Sequence, residues 1–123
     1  MANTEIKSDQ LSEIIAAGMR EKKGEKITRL DMRNIDGSIC DYFVICQADN
    51  SRQVAAIADA VEDYVWEHTH QWPYHKEGKD NAEWILLDYV DAVAHIFIDE
   101  KREFYKLEKL WADAERTDYA DEL

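Results

Sequence analysis

Apolar residues recur at helical spacing over Leu11, Ile14, Ile15 and Met19, so roughly residues 9 to 22 read as a first helix. Ser8 is placed to accept a backbone hydrogen bond at its start, and Lys22-Lys23-Gly24 closes it. The pattern then changes. Ile27, Thr28, Leu30 and Met32 favour an extended segment over 26–32, and after the turn signal Asp36-Gly37 a second begins near Asp41 and runs through Tyr42-Phe43-Val44-Ile45-Cys46. Its unbroken apolar run predicts a central strand covered on both faces. Asn50 and Ser51 offer helix caps, and Val54, Ile57, Ala58, Val61 and Val65 repeat at steps of three and four, the clearest helical pattern in the chain. Residues 68–79, with the single proline Pro73 and with Gly78, read as irregular. Two apolar stretches, 83–89 and 91–98, follow as paired strands split by a short turn. Asp99 then caps a last helix whose apolar side holds Phe104, Leu107, Leu110 and Trp111.

The resulting order is α-β-β-α-β-β-α. A helix joining the second and third strands favours a parallel crossover, and the close strand pairs favour antiparallel neighbours. The expectation is one α/β domain over residues 1–123, a mixed sheet flanked by helices, with 1–7 and the acidic tail 113–123 as flexible ends.

Composition narrows the function. Fifteen Lys+Arg stand against 27 Asp+Glu, a formal charge of −12, yet 46 % of residues are hydrophobic, more than an acidic disordered chain carries. An anionic surface repels polyphosphate, so direct nucleic-acid binding is not expected, and a basic protein partner fits better; acidity also serves solubility. The longest apolar run has five residues, Tyr42 to Cys46, against about 20 for a membrane span. The opening MANTEIKSDQ lacks the basic-then-apolar order of a secretory signal, which points to the cytoplasm. Cys40 and Cys46 on one extended segment would share a face about 20 Å apart, too far for a disulfide.

Candidate chemistry is sparse. His68, His70, His75 and His95 show no Cys-x-x-Cys or His-x-x-x-His spacing, so no metal is expected. His95 falls mid-strand on the face of Val93 and Phe97, a structural or interface position. Asp41, Asp88 and Asp91 could hold Mg²⁺ for phosphoryl transfer, and Gly37-Ser38 resembles the phosphate-holding Gly-Ser of nucleotidyltransferases, though a lone Gly-Ser is as often a plain loop; a divergent nucleotidyltransferase stays open as an alternative. Asp41 is followed by Tyr42 and Phe43, however, and not by a second acid at the alternate position. Glycines 18, 24, 37 and 78 are too scattered to cradle phosphates. No catalytic residue or cofactor is expected. Trp72, Tyr74, Trp84 and Tyr89 fall outside helical periodicity, where large aromatics serve as interface anchors, and Glu77, Asp80, Glu83 and Asp88 would ring them.

Several segments together resemble the ribosomal silencing factor family, also called the Iojap family. They are Ser38-Ile39-Cys40-Asp41-Tyr42-Phe43-Val44-Ile45, Ser51-Arg52-Gln53-Val54 with Ala56-Ile57-Ala58-Asp59, Glu77-Gly78, Trp84-Ile85-Leu86-Leu87-Asp88-Tyr89, His95-Ile96-Phe97, Arg102-Glu103-Phe104-Tyr105 and Leu107-Glu108-Lys109-Leu110-Trp111. The similarity covers roughly residues 8 to 112. It implies a nucleotidyltransferase-like fold without the acid pair, and a non-catalytic cytosolic factor, often dimeric when free. Such a factor binds ribosomal protein number fourteen of the large subunit and blocks joining of the small subunit when nutrients are scarce. Carried onto this chain, the partner-binding residues are Glu77, Gly78, Trp84, Leu86, Asp88, Tyr89 and His95. Arg52 is expected as a structural pin, and Arg102, Phe104 and Tyr105 as seating the last helix on the sheet. Two departures stand out: Val90 where the family often has glycine, and Ala48-Asp49-Asn50 in place of a small Gly/Thr loop.

Overall fold

Leu11, Ile15 and Met19 form the buried stripe of helix α1 (Ser8–Glu21), and Val54, Ile57, Val61 and Val65 that of α2 (Ser51–Thr69). In the computed structural model, which describes residues 6–120, these stripes meet over one face of a six-stranded sheet. The strands are β1 (Glu25–Asp31), β2 (Tyr42–Ala48), β3 (His75–Glu77), β4 (Trp84–Asp88), β5 (Ala92–Ile98) and β6 (Glu115–Asp118), in spatial order β3-β4-β5-β2-β1-β6. The two helices approach closely where α1 carries Gly18: a Cβ there would stand 3.0 Å from the Val61 Cα. Asn50 caps α2, its side chain accepting the Gln53 N–H at 2.8 Å. Ser8 does not cap α1, which starts one residue earlier than the pattern suggested, with Lys7 N–H donating to Gln10 Oε1.

Strand β2 is central and covered on both sides, as its apolar run requires. Tyr42, Val44, Cys46 and Ala48 face the α1/α2 layer, while Phe43 and Ile45 face the other. The parallel crossover exists, but it joins β2 to β5 and not to the next strand in sequence. The chain leaving α2 first lays down β3 and β4 at the sheet edge, then returns through the β4–β5 hairpin to fill the place beside β2. Strand β3 lies inside the segment expected to be irregular. Its three residues are all exposed, too short and too polar to show a strand period.

Four further expectations are corrected. The last helix is broken: α3 (Asp99–Tyr105) ends at Lys106, whose left-handed backbone (φ 47°) starts the short α4 (Leu107–Leu110) in a new direction. Phe104 and Leu110 therefore leave the apolar side and are 75 % and 69 % exposed, while Leu107 stays buried. Asp99 is the first residue of α3 and not its cap. The tail does not fray over 115–118. It forms β6 on the otherwise open edge of β1, locked by Thr28 Oγ1–H to Asp118 Oδ1 (2.8 Å) and by Tyr119 N–H to the Ile27 carbonyl (2.9 Å). Residues 1–5 and 121–123 of the expected flexible ends lie outside the described residues. Finally, Cys40 precedes β2 and packs with the cluster of Phe43, Ile45 and Phe97, whereas Cys46 packs with the α1/α2 layer, so the two residues lie on opposite faces. Both are free, and burial pushes each up to about 12.

Candidate functional site

Alternation along β4 sorts its residues by face. Ile85 and Leu87 are fully buried beneath α1 and α2, whereas Trp84, Leu86 and Asp88 emerge half-buried on the other face, which α3 and α4 only partly cover. Residues directly opposite on paired strands share a face. Glu77 of β3 therefore stands beside Leu86, and Leu86 beside His95 of β5; His75, Asp88 and Val93 form the neighbouring row, and Trp84 lies against Phe97.

The indole of Trp84 is held on three sides. Its Nε1–H donates to His95 Nδ1 at 3.1 Å, its ring stacks on Phe97 at 4.8 Å, and Tyr105 of α3 closes on it at 4.7 Å. Phe43 continues the cluster, edge-on to His95 and to Trp111. At the outer end Phe104 meets Tyr105 at 5.0 Å, so the aromatic cluster runs out into solvent. Sequence reasoning placed Phe104 and Tyr105 as fold residues. Tyr105 does seat α3 on the sheet, but Phe104 does not, and only the break at Lys106 shows it.

His95 is 4 % exposed, and with Nδ1 accepting from Trp84, its Nε2 carries the proton and has no partner among the described residues. Trp84, Phe43 and Phe97 surround it and supply no counter-charge, so burial alone lowers its pKa to about 3. The unfolded chain, with an ordinary imidazole, binds the proton first. Stability is thus complete above about pH 6.5 and declines as pH falls toward 3. Urea titrations at about pH 7 and about pH 4.5 are expected to differ by about 2–3 kcal/mol, with the protein less stable at the lower pH. His95→Gln should flatten that difference; an unchanged slope would show that His95 does not carry it.

The remaining expected contacts separate. Tyr89 is 5 % exposed and packs with the α1/α2 layer, opposite Trp84, so no partner docking on the Trp84 face touches it. Burial there pushes its hydroxyl pKa well up. Asp88 accepts the Val90 N–H at 2.8 Å and so braces the β4–β5 turn, where Val90 does hold a left-handed backbone (φ 75°), a strained place for a β-branched residue. Glu77 is exposed, and its Oε2 lies within hydrogen-bond distance of His75 Nε2 at 2.7 Å. Gly78 is exposed, but its φ of 87° and the Trp84 carbonyl against its Cα leave no room for a side chain, so it holds a close approach of the backbone. Arg52 is exposed and has no hydrogen-bond or ion-pair partner among the described residues.

Arg102 is the pin instead. It is 7 % exposed, and its guanidinium donates to Glu108 Oε2 (2.9 and 2.6 Å), to the Lys26 carbonyl (2.6 Å) and to Thr28 Oγ1 (3.1 Å). It lines a cleft of about 1070 Å³ between β1, β6 and α3, which also holds Lys106, Lys109 and Arg116 facing Asp99, Glu103 and Asp118. None of the expected partner-binding residues lines that cleft. Asp41 and Asp91 meet through a backbone hydrogen bond at 2.9 Å, and among the described residues no group of three or more His, Cys, Asp or Glu side chains is arranged to hold a metal.

The family model described as "Ribosomal silencing factor during starvation" matches residues 5–123. The chain belongs to the ribosomal silencing factor family. The ribosomal silencing factor of Bacillus subtilis is 42 % identical over 105 residues, covering 85 % of this chain and 87 % of that protein. A mouse protein named "Mitochondrial assembly of ribosomal large subunit protein 1" is 40 % identical over 73 residues, 58 % of this chain and 32 % of its own length. A crystal structure of a Chromobacterium violaceum protein superposes with a TM-score of 0.82 at 27 % identity, covering 87 % of this chain and 88 % of that one. The silencing-factor fold seen here, a mixed sheet with helices on both faces, is therefore shared with a solved structure.

Proposed function

We propose that this silencing factor binds the large ribosomal subunit in the cytoplasm through ribosomal protein number fourteen and blocks joining of the small subunit by occupying its docking face. The observation that carries this reading is the half-covered sheet face: Trp84 and Leu86 set in an aromatic cluster, with Glu77 and Asp88 flanking Leu86. An apolar strip rimmed by carboxylates, on a protein of charge −12, complements a cationic protein surface. His95 lies too deep to be touched directly and acts by orienting the Trp84 indole. No catalytic step belongs to this reading, and Asp88 is already committed to its turn. The mouse relative's name, which refers to assembly of the large ribosomal subunit, supports a ribosomal partner. The homodimer implied for the free protein is part of the proposal, and sedimentation of the purified chain tests it.

The decisive experiment is a sucrose gradient of purified subunits with added protein. Saturating protein should lower the joined fraction, and capture of ribosomal protein number fourteen should weaken as salt rises. Trp84→Ala should weaken capture by about 1.5–3 kcal/mol. Because that indole also supports the fold, Glu77→Lys serves as a second variant: an exposed substitution that leaves stability within about 0.5 kcal/mol while placing a like charge against a basic partner. An unchanged joined fraction at saturation, or full capture by both variants, would sink the proposal.

A further inference from the structure

Helix α2 ends in a feature that the sheet face does not use. His70 takes a left-handed backbone (φ 59°, ψ 30°), its N–H bonding back to the Trp66 carbonyl at 2.8 Å. The turn is tied by Thr69 Oγ1–H to the Val65 carbonyl (2.8 Å) and by Gln71 N–H to Thr69 Oγ1 (3.1 Å). The chain therefore folds back and lays Trp72 on Trp66, the indoles within 7° of parallel and 4.9 Å apart, with His70 edge-on to Trp66 at 4.9 Å. Both indoles remain in solvent, 36 % and 54 % exposed. Two large aromatics are thus ordered against each other outside the core, on a non-glycine residue held at positive φ.

The charges around this shelf favour one kind of guest. Asp63 lies one turn before Trp66, and Glu67 one turn before His70. Both carboxylates are exposed and have no ion-pair or hydrogen-bond partner among the described residues. Lys76 and Lys79, the lysines that pair with α2, are occupied by Glu62 and Asp59. A flat cation gains both from an open indole face and from the free carboxylates, and the guanidinium is the side chain that is flat, weakly hydrated and always charged. Nucleobases also stack on tryptophan, but their phosphates would meet these carboxylates and a net charge of −12.

We infer that the Trp66–Trp72 shelf is a second docking site, on the α2 side of the sheet and away from Trp84, that takes an arginine-rich segment of a basic protein. The test uses the full chain labelled with ¹⁵N, whose four tryptophans report separately through their indole N–H signals. The probe is a blocked peptide of alternating arginine and glycine. It should shift the Trp66 and Trp72 signals and leave those of Trp84 and Trp111 in place. The same peptide with citrulline for arginine should bind at least about tenfold more weakly, and Trp72→Ala should weaken the arginine peptide about tenfold. Shifts centred on Trp84, equal binding of the citrulline peptide, tighter binding of a ten-nucleotide oligouridine, unaltered affinity in Trp72→Ala, or no binding at all would each overturn the inference.

Discussion

Replacing Arg102 with alanine is expected to lower the free energy of unfolding by about 3–5 kcal/mol, among the largest losses available to a single change in this chain. The reason is what the guanidinium leaves behind. Glu108, with a side chain 15 % exposed, would keep its charge without a counter-ion, and the Lys26 carbonyl and Thr28 hydroxyl would each lose a charge-assisted donor. The same group ties α3 and α4 to β1, so the loss spreads to Tyr105 and the support it gives Trp84. Urea unfolding followed by far-ultraviolet circular dichroism measures the change. Arg102→Lys should recover only part of it, since an ammonium cannot place donors on a carboxylate, a carbonyl and a hydroxyl in one plane. A loss below about 1 kcal/mol would mean that the pair contributes little beyond a surface ion pair.

Gly78→Ala is expected to cost about 2–4 kcal/mol. A Cβ at this position would stand 1.9 Å from the Trp84 carbonyl oxygen, and φ 87° disfavours any side chain. Relief requires moving the backbone that links β3 to β4, where the Gly78 carbonyl accepts the Ala82 N–H at 2.9 Å. Because that shift displaces Trp84 itself, ribosome capture should fall further than the fraction of folded protein explains. Thermal unfolding and capture measured on the same preparation separate the two effects. A variant with parental stability would show that the strands part easily, and the role assigned to Gly78 would fall.

These two residues illustrate what was legible in the chain and what was not. The family segments containing them were readable, but the close backbone approach that Gly78 permits against the Trp84 carbonyl was not. Arg102 was expected to seat the last helix, and its burial confirms that reading. Arg52, an equally plausible pin by position, lies in solvent, because a helix start alone does not say which face will meet the sheet. Tyr89 lies buried on the face away from Trp84 for a related reason. One residue beyond Asp88 in an alternating strand is the opposite side of the sheet, and nothing local says which side a partner will find open.

The tail shows the same limit from another direction. Glu115–Asp118 is a four-residue polar strand with no apolar alternation, so its existence depends on the vacant hydrogen-bonding edge of β1, a feature that exists only once the sheet is formed. The break at Lys106 is likewise invisible in a pattern whose apolar spacing suits one continuous helix.

By itself, then, the chain's residue order determined the helices α1 and α2, the central strand β2, the β4–β5 pair, the family and the acidic character. Those follow from periodicity, runs and composition, which act over neighbouring residues. Only the tertiary structure decided which strand lies beside β2, that Trp84 and Leu86 face outward while Tyr89 faces in, that Phe104 is exposed, and that Trp72 folds onto Trp66. Each of these depends on long-range pairing and on which surface is left uncovered after the layers pack, quantities that no local pattern encodes.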